Sequence, residues 1–225
     1  MSEQVDQQTE KTNTTGGCTL DSLFAIKVGM TSYFDDKGDM HAATILKYEA
    51  LVVSQVKTKE KDGYEAVQLA FCPKREKRTS TAQKTHLKAA GFENGAYYVR
   101  EIRQKLPDGV AVGSKVDLGS LKVGDVLKIS GRTKGKGFAG VVKRWGMAGG
   151  PATHGSGFHR RPGSIGNRTW PGRVMPGKKF PGHMGDRNVT VKNLSILDII
   201  PEENVIVIGG PVPGAMNSLV QLTKV

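Results

Sequence analysis

Gly135, Gly137, Gly140 and Val142 spell G-x-G-x-x-G-x-V, the spacing of the loop that covers ATP phosphates in protein kinases. The same stretch carries Arg132, Lys134, Lys136, Lys143 and Arg144 and no acidic residue. The first pattern would cradle one nucleotide; the second suits a polyanion. The nucleotide reading lacks its other parts. In "HRRPG" (His159–Gly163) an arginine stands where a kinase needs its catalytic aspartate, and no D-F-G follows. A dinucleotide site needs an acidic residue about 20 positions on, where the chain reads "HGSGFHRRPG". A Walker A loop fails because Gly137 stands where Ser or Thr must meet magnesium. Ser156 and Ser164 do not fit a nucleophile elbow, and no carboxylate pair has acid–base spacing. His154, His159 and His183 have no nearby cysteine, and Asp186 is their one carboxylate neighbour, which argues against a metal site. The expectation is a chain with no catalytic residue, metal, cofactor or small-molecule substrate, and so no enzyme.

The polyanion reading has both of its ingredients. The net charge of +12 is concentrated: residues 1–130 hold 19 Lys/Arg against 17 Asp/Glu, residues 131–187 hold 12 against Asp186 alone, and residues 188–225 hold two against three. A block of one sign repels itself unless a polyanion compensates it. Cations neutralise phosphates, and glycines let backbone approach them closely. Trp145, Phe158, Trp170 and Phe180 are interleaved with the cations, and each could stack on an unpaired base for about 1–3 kcal/mol. The competing readings are a solvated basic loop, an anionic membrane and, for Trp145 at the end of the strand-like "FAGVVKRW", simple core packing. RNA is favoured over DNA because no recognition helix is present and irregular insertion suits folded RNA. The candidate RNA-binding residues are Arg132, Lys134, Lys136, Lys143, Arg144, Trp145, His154, His159, Arg160, Arg161, Arg168, Trp170, Arg173, Lys178, Lys179, His183 and Arg187.

These residues need a scaffold. Residues 1–22, rich in Gln, Thr, Ser and Glu, read as a disordered tail. From Leu23 the runs "LFAIKVGM", "AATILKYEA", "LVVSQVKT" and "YEAVQLAF" have the spacing of an all-β barrel or sandwich. "STAQKTHLKAAG" (Ser80–Gly91) is the one helix expected, closed by Gly91, and "YYVREI" and "DVLKIS" continue the strands. In "NVTVKNLSILDII" the apolar phase slips near Lys192–Asn193, which predicts a bulge. "PEEN" then turns into the return strand "VIVIGG", and Ile26, Val53, Val67, Val189 and Ile206 are expected in the core. The chain thus leaves a β fold near Gly131 and rejoins it near Asn188. Between these points stand 15 glycines and five of the ten prolines, which predict an extended, kinked path without helix or sheet. Cys18 and Cys72 are too few for a disulfide framework, no apolar run is long enough for a membrane, and the N-terminus lacks a signal-peptide pattern. The expected compartment is the cytosol.

"VGMTSYF", "KGKGFAGVVKRW", "ATHGSGFHRRPGSIG", "PGRVMPGKKFPGHMG" and "VTVKNL" resemble the bacterial form of the ribosomal protein L-three family of the large subunit, over about Phe24 to Val225. The resemblance implies a mainly β fold: a translation-factor-like β-barrel with a long irregular basic extension and one short helix. It divides the chain into a tail (1–22), a first barrel part (23–130), an rRNA-penetrating arm (131–187) with its tip near Gly163–Gly172, and C-terminal barrel strands (188–225). It implies a structural role near the peptidyl-transferase centre and in early subunit assembly. The partners would be large-subunit rRNA and neighbouring large-subunit ribosomal proteins, with no membrane. An RNA chaperone or assembly factor absent from the mature particle is the rival reading. The tail is longer than the family's usual form. Thr169 stands where some bacterial members carry a methylated glutamine, so that modification is expected to be absent.

Overall fold

Runs that alternate apolar and polar residues between glycine- and aspartate-rich turns become strands in the computed structural model, which describes residues 20–35, 37–107, 109–116 and 121–225. In chain order the elements are β1 (Ser22–Phe34), β2 (Met40–Lys47), β3 (Val52–Lys57), α1 (Lys59–Asp62), β4 (Ala66–Pro73), α2 (Thr81–Lys88), β5 (Ala96–Ile102), β6 (Val126–Arg132), β7 (Phe138–Ala139), α3 (Val141–Trp145), β8 (Gly182–His183), β9 (Asn188–Ile200), β10 (Val205–Gly209) and β11 (Leu219–Lys224). The chain is mainly β, as its sequence pattern predicts.

Six strands pair in the order β1-β11-β6-β9-β10-β2, and β2 returns to β1, so the sheet closes as a barrel. Closure leaves no unpaired strand edge around the ring. Period-2 pairs supply its buried side chains: Leu127 and Ile129, Leu194 and Ile196, Ile206 and Ile208, Val220 and Leu222. Each such side chain, fully buried, is worth about 1.5–3 kcal/mol relative to exposure. The expected slip in β9 is real. Leu127 pairs with Leu194 but Ile129 with Val191, and Asn193 takes a left-handed φ of 60°.

The sequence reading placed residues 23–130 in one barrel; the structure sets β3-β4-β5 apart as a separate three-stranded sheet. Its core is nonetheless continuous with the barrel's. Leu23, Phe24 and Ala25 are all buried, so both faces of the start of β1 are covered. The Phe24 ring stacks on Phe71 of β4 at 5.7 Å between centroids, and Phe71 on Tyr98 of β5 at 5.3 Å. Under this sheet α2 buries Leu87 against Ala70 and Ala96. Its N-cap, Ser80, accepts from Gln83 N at 3.4 Å.

Other expectations need correction. Residues 1–19 of the proposed tail lie outside the described residues, but residues 20–22 belong to the fold: Leu20 is buried and Ser22 pairs with Thr223. Val53, Val67 and Ile206 are buried as expected, whereas Ile26 and Val189 are only half-buried. In β1 it is Lys27, not Ile26, that turns inward. The helix ends at Lys88, three residues short of Gly91, whose φ of +83° serves the turn beyond.

Candidate nucleic-acid interface

β6 and β9 pair as far as Arg132 opposite Asn188, so residues 133–187 leave and rejoin the barrel side by side. Ala139 and Val141 are the only buried residues in this excursion. A segment that buries so little contributes almost nothing to a hydrophobic core.

Its root is more ordered than glycine and proline content predicts. Thr133 N donates to Arg187 O at 3.0 Å, Lys136 N to Met184 O at 2.9 Å, and Met184 N to Gly137 O at 2.9 Å. β7 and β8 continue the ladder through Phe138–His183 and Ala139–Gly182. The Gly135–Gly140 loop thus gives backbone groups to the returning chain rather than presenting them to a phosphate. "FAGVVKRW" is not one strand: after Ala139 it turns at Gly140 into α3, which ends at Gly146 with φ +69°. This short helix aims Arg144 and Trp145 at a single acceptor. Arg144 Nη1 and Trp145 Nε1 both donate to Phe180 O, at 2.8 and 2.9 Å. The guanidinium of Arg144 also lies 5.0 Å from the Trp145 ring centroid, and Lys179 Nζ lies 5.7 Å from it. Gly182 permits this approach, because a Cβ there would sit 2.6 Å from Arg144 Nη1. Trp145 is therefore not a core residue, and it stays 43% exposed. It clamps the two limbs of the excursion together.

Beyond the clamp the chain is exposed. From 151 to 180 only Ser156, Pro171 and Phe180 are even half-buried. A local turn forms where Gly150 N donates to His159 O at 2.6 Å and Arg161 N to Phe158 O at 2.9 Å. Gly149, at φ +76°, lets the carbonyl of His159 come within 2.7 Å of where a Cβ would stand. Trp170 is 84% exposed and Phe158 62%. His154, Arg160, Arg168, Arg173 and Lys178 are exposed too.

Electrostatically the segment is nearly uncompensated. Asp186, its one acidic residue, is held by Arg132, with Nη2 to Oδ2 at 2.9 Å. Among the described residues, none of the other eleven lysines and arginines of 131–187 makes an ion pair. Seven residues singled out from sequence — Lys134, Lys136, Arg144, Trp145, His183 and Arg187, with Arg132 just outside — meet at the root. The first six line a groove of about 260 Å³, completed by Thr133, Met184, Gly185 and Val189.

The sequence reading missed Lys27. Its side chain is buried, and Nζ donates to Val212 O at 2.7 Å and Gly214 O at 3.4 Å. Burial first, and then the nearby charge of Lys134, hold its pKa below the ordinary lysine value. The one signal in the sequence was a lysine inside the apolar run "LFAIKVGM".

The model of the family described as ribosomal protein L3 matches residues 27–205. The large ribosomal subunit protein uL3 of Bdellovibrio bacteriovorus is 57% identical over 217 residues, covering 96% of this chain and 99% of that protein. The protein of the same name from Oceanobacillus iheyensis is 45% identical over 198 residues, 88% of this chain and 94% of its own length. That of Leptospira biflexa is 45% identical over 204 residues, 90% and 98% of the two chains.

Proposed function

We propose that this chain, which belongs to the ribosomal protein L3 family, is a non-catalytic structural protein of the large ribosomal subunit that binds rRNA directly through residues 131–187. One observation carries the reading: an exposed excursion with two buried side chains, and with eleven cations that make no ion pair among the described residues, has no role in the core and a large electrostatic need for a polyanion. Phosphates would neutralise Lys134, Lys136, Lys143, Arg160, Arg161, Arg168, Arg173, Lys178, Lys179 and Arg187, while Trp170 and Phe158 stack on unpaired bases. The exposed segment around Gly163–Gly172 would reach toward the peptidyl-transferase centre, as the family resemblance implies, and binding would come early in subunit assembly. The barrel would be the translation-factor-like platform that anchors the arm and contacts neighbouring ribosomal proteins. The names of the relatives support a place in the ribosome, and so in the cytoplasm. Among the described residues no helix is long and apolar enough to cross a membrane.

The test is to wash large subunits in high salt and quantify this chain against the rRNA. Stoichiometric retention, with crosslinks from residues 131–187 to rRNA, is the expected result. Complete loss from mature particles but presence on precursors would replace this reading with that of an assembly factor.

A further inference from the structure

We propose that the groove at the root of the arm is a preformed site for one unstacked nucleotide of RNA, with its phosphate between Lys134, Lys136 and Arg187 and its base against Trp145, Met184 and Val189. This rests on the reading of the arm as RNA-binding and adds to it a specific pocket, where charge alone would give a diffuse surface.

The groove is concave and small, about 260 Å³, room for one nucleotide and not for a stacked duplex. Its lining divides by chemistry. Lys134, Lys136, Arg144, His183 and Arg187 supply positive or protonatable groups, and no carboxylate is among them. Asp186, the one acid close by in sequence, is held by Arg132. Trp145, Met184 and Val189 supply the apolar wall. A few convergent polar groups over an apolar wall are the usual composition of a ligand site.

The walls are also rigid. The β7–β8 ladder fixes one side, and the paired bonds from Arg144 and Trp145 to Phe180 O fix the other. Ordering a loop on binding costs affinity, so a site assembled before the ligand arrives holds it more tightly. The exposed segment beyond the clamp has few such bonds.

On β1 the ammonium of Lys27 donates to the carbonyls of Val212 and Gly214. Burial first, and then the charge of Lys134, lower its affinity for a proton. A phosphate bound at Lys134 would relieve the like-charge repulsion between that side chain and Lys27. The indole N–H of Trp145 is already bonded to Phe180 O, so the wall offers contact area rather than a hydrogen bond to a base edge. The site should therefore accept any base that is free of its stack.

The chain has two tryptophans, so Trp170→Phe leaves Trp145 as the sole indole reporter. The full chain carrying this change is titrated with a short oligouridylate, with uridine and with inorganic phosphate, and Trp145 fluorescence is followed. Filter binding of an rRNA fragment to the wild-type chain runs in parallel. The oligonucleotide should change the Trp145 signal at concentrations where uridine or phosphate alone does not. Lys134→Ala with Lys136→Ala should weaken that response by about tenfold or more, the loss expected for charge-assisted hydrogen bonds. An rRNA fragment that binds while the oligonucleotide leaves Trp145 silent, or a response unchanged by the double substitution, would overturn the pocket and leave the RNA-binding reading standing. An equal response to phosphate alone would reduce the groove to an anion site and also overturn the proposal. Failure of the wild-type chain to bind the rRNA fragment would remove the RNA-binding reading itself.

Discussion

Cutting the whole excursion at its base tests the division between scaffold and arm. Arg132 and Asn188 are directly opposite in the β6–β9 pair, so an Asn-Gly turn replacing residues 133–187 connects them in a two-residue hairpin. The excised stretch holds two buried residues, Ala139 and Val141, and neither belongs to the main core cluster. The barrel therefore loses none of its buried apolar side chains. Closing 55 residues between two fixed strand ends carries an entropy cost that grows with loop length. Shortening it to two residues returns up to about 3 kcal/mol at roughly 0.6 kcal/mol per halving. That figure is an upper bound, because the root has its own hydrogen bonds and a two-residue loop is stiff. Far-ultraviolet circular dichroism should keep its β signature, and the thermal midpoint should stay level or rise. Affinity for an rRNA fragment should fall by orders of magnitude in the same preparation. A cooperative melt lost on excision, or a clear drop in the midpoint, would mean that the arm helps to hold the barrel. Unchanged RNA affinity would mean that the cations of 131–187 are not the RNA-binding surface.

Further outcomes follow from particular side chains. Arg160→Ala with Arg161→Ala should lower the slope of log affinity against log salt by roughly 0.9 per lost phosphate contact on duplex-like RNA. Trp170→Ala, removing an 84% exposed ring and no charge, should leave that slope alone and cost about 1–3 kcal/mol of binding; wild-type affinity at every salt concentration would dispose of stacking. Gly131→Ala should destabilise the barrel by about 1–3 kcal/mol, read from urea midpoints, because its Cβ would meet Pro213 O at 3.0 Å and Val220 Cγ1 at 3.2 Å. Lys27 has its pKa lowered by burial and by Lys134, so the folded chain releases this proton before the unfolded chain does. Its contribution to stability therefore rises with pH from the folded value up to the ordinary lysine value. Urea midpoints of the wild type and of Lys27→Met should diverge in slope across that alkaline window; parallel curves would show that Lys27 is not held in a desolvated site.

The amino-acid sequence alone determined what depends on near neighbours. Charge segregation is a property of composition, so the one-sided block at 131–187 was plain before any fold was known. The bulge at Asn193 was legible for the same reason, because it is set within a few residues. Period-2 alternation identified strands but not their partners. A buried face looks the same whether it meets a barrel interior or a neighbouring sheet, so nothing in the sequence sets β3, β4 and β5 apart from the six barrel strands. Tertiary structure decided everything that joins distant segments. "FAGVVKRW" became a two-residue strand and a helical turn whose Arg144 and Trp145 both donate to the carbonyl of Phe180, 35 residues beyond Trp145. Lys27 turned inward because Val212, 185 residues away, offers an acceptor there. The root groove likewise exists only once residues 133–145 and 183–189 lie side by side. Local propensity carries no term for such meetings, since their energy arises when the chain closes on itself.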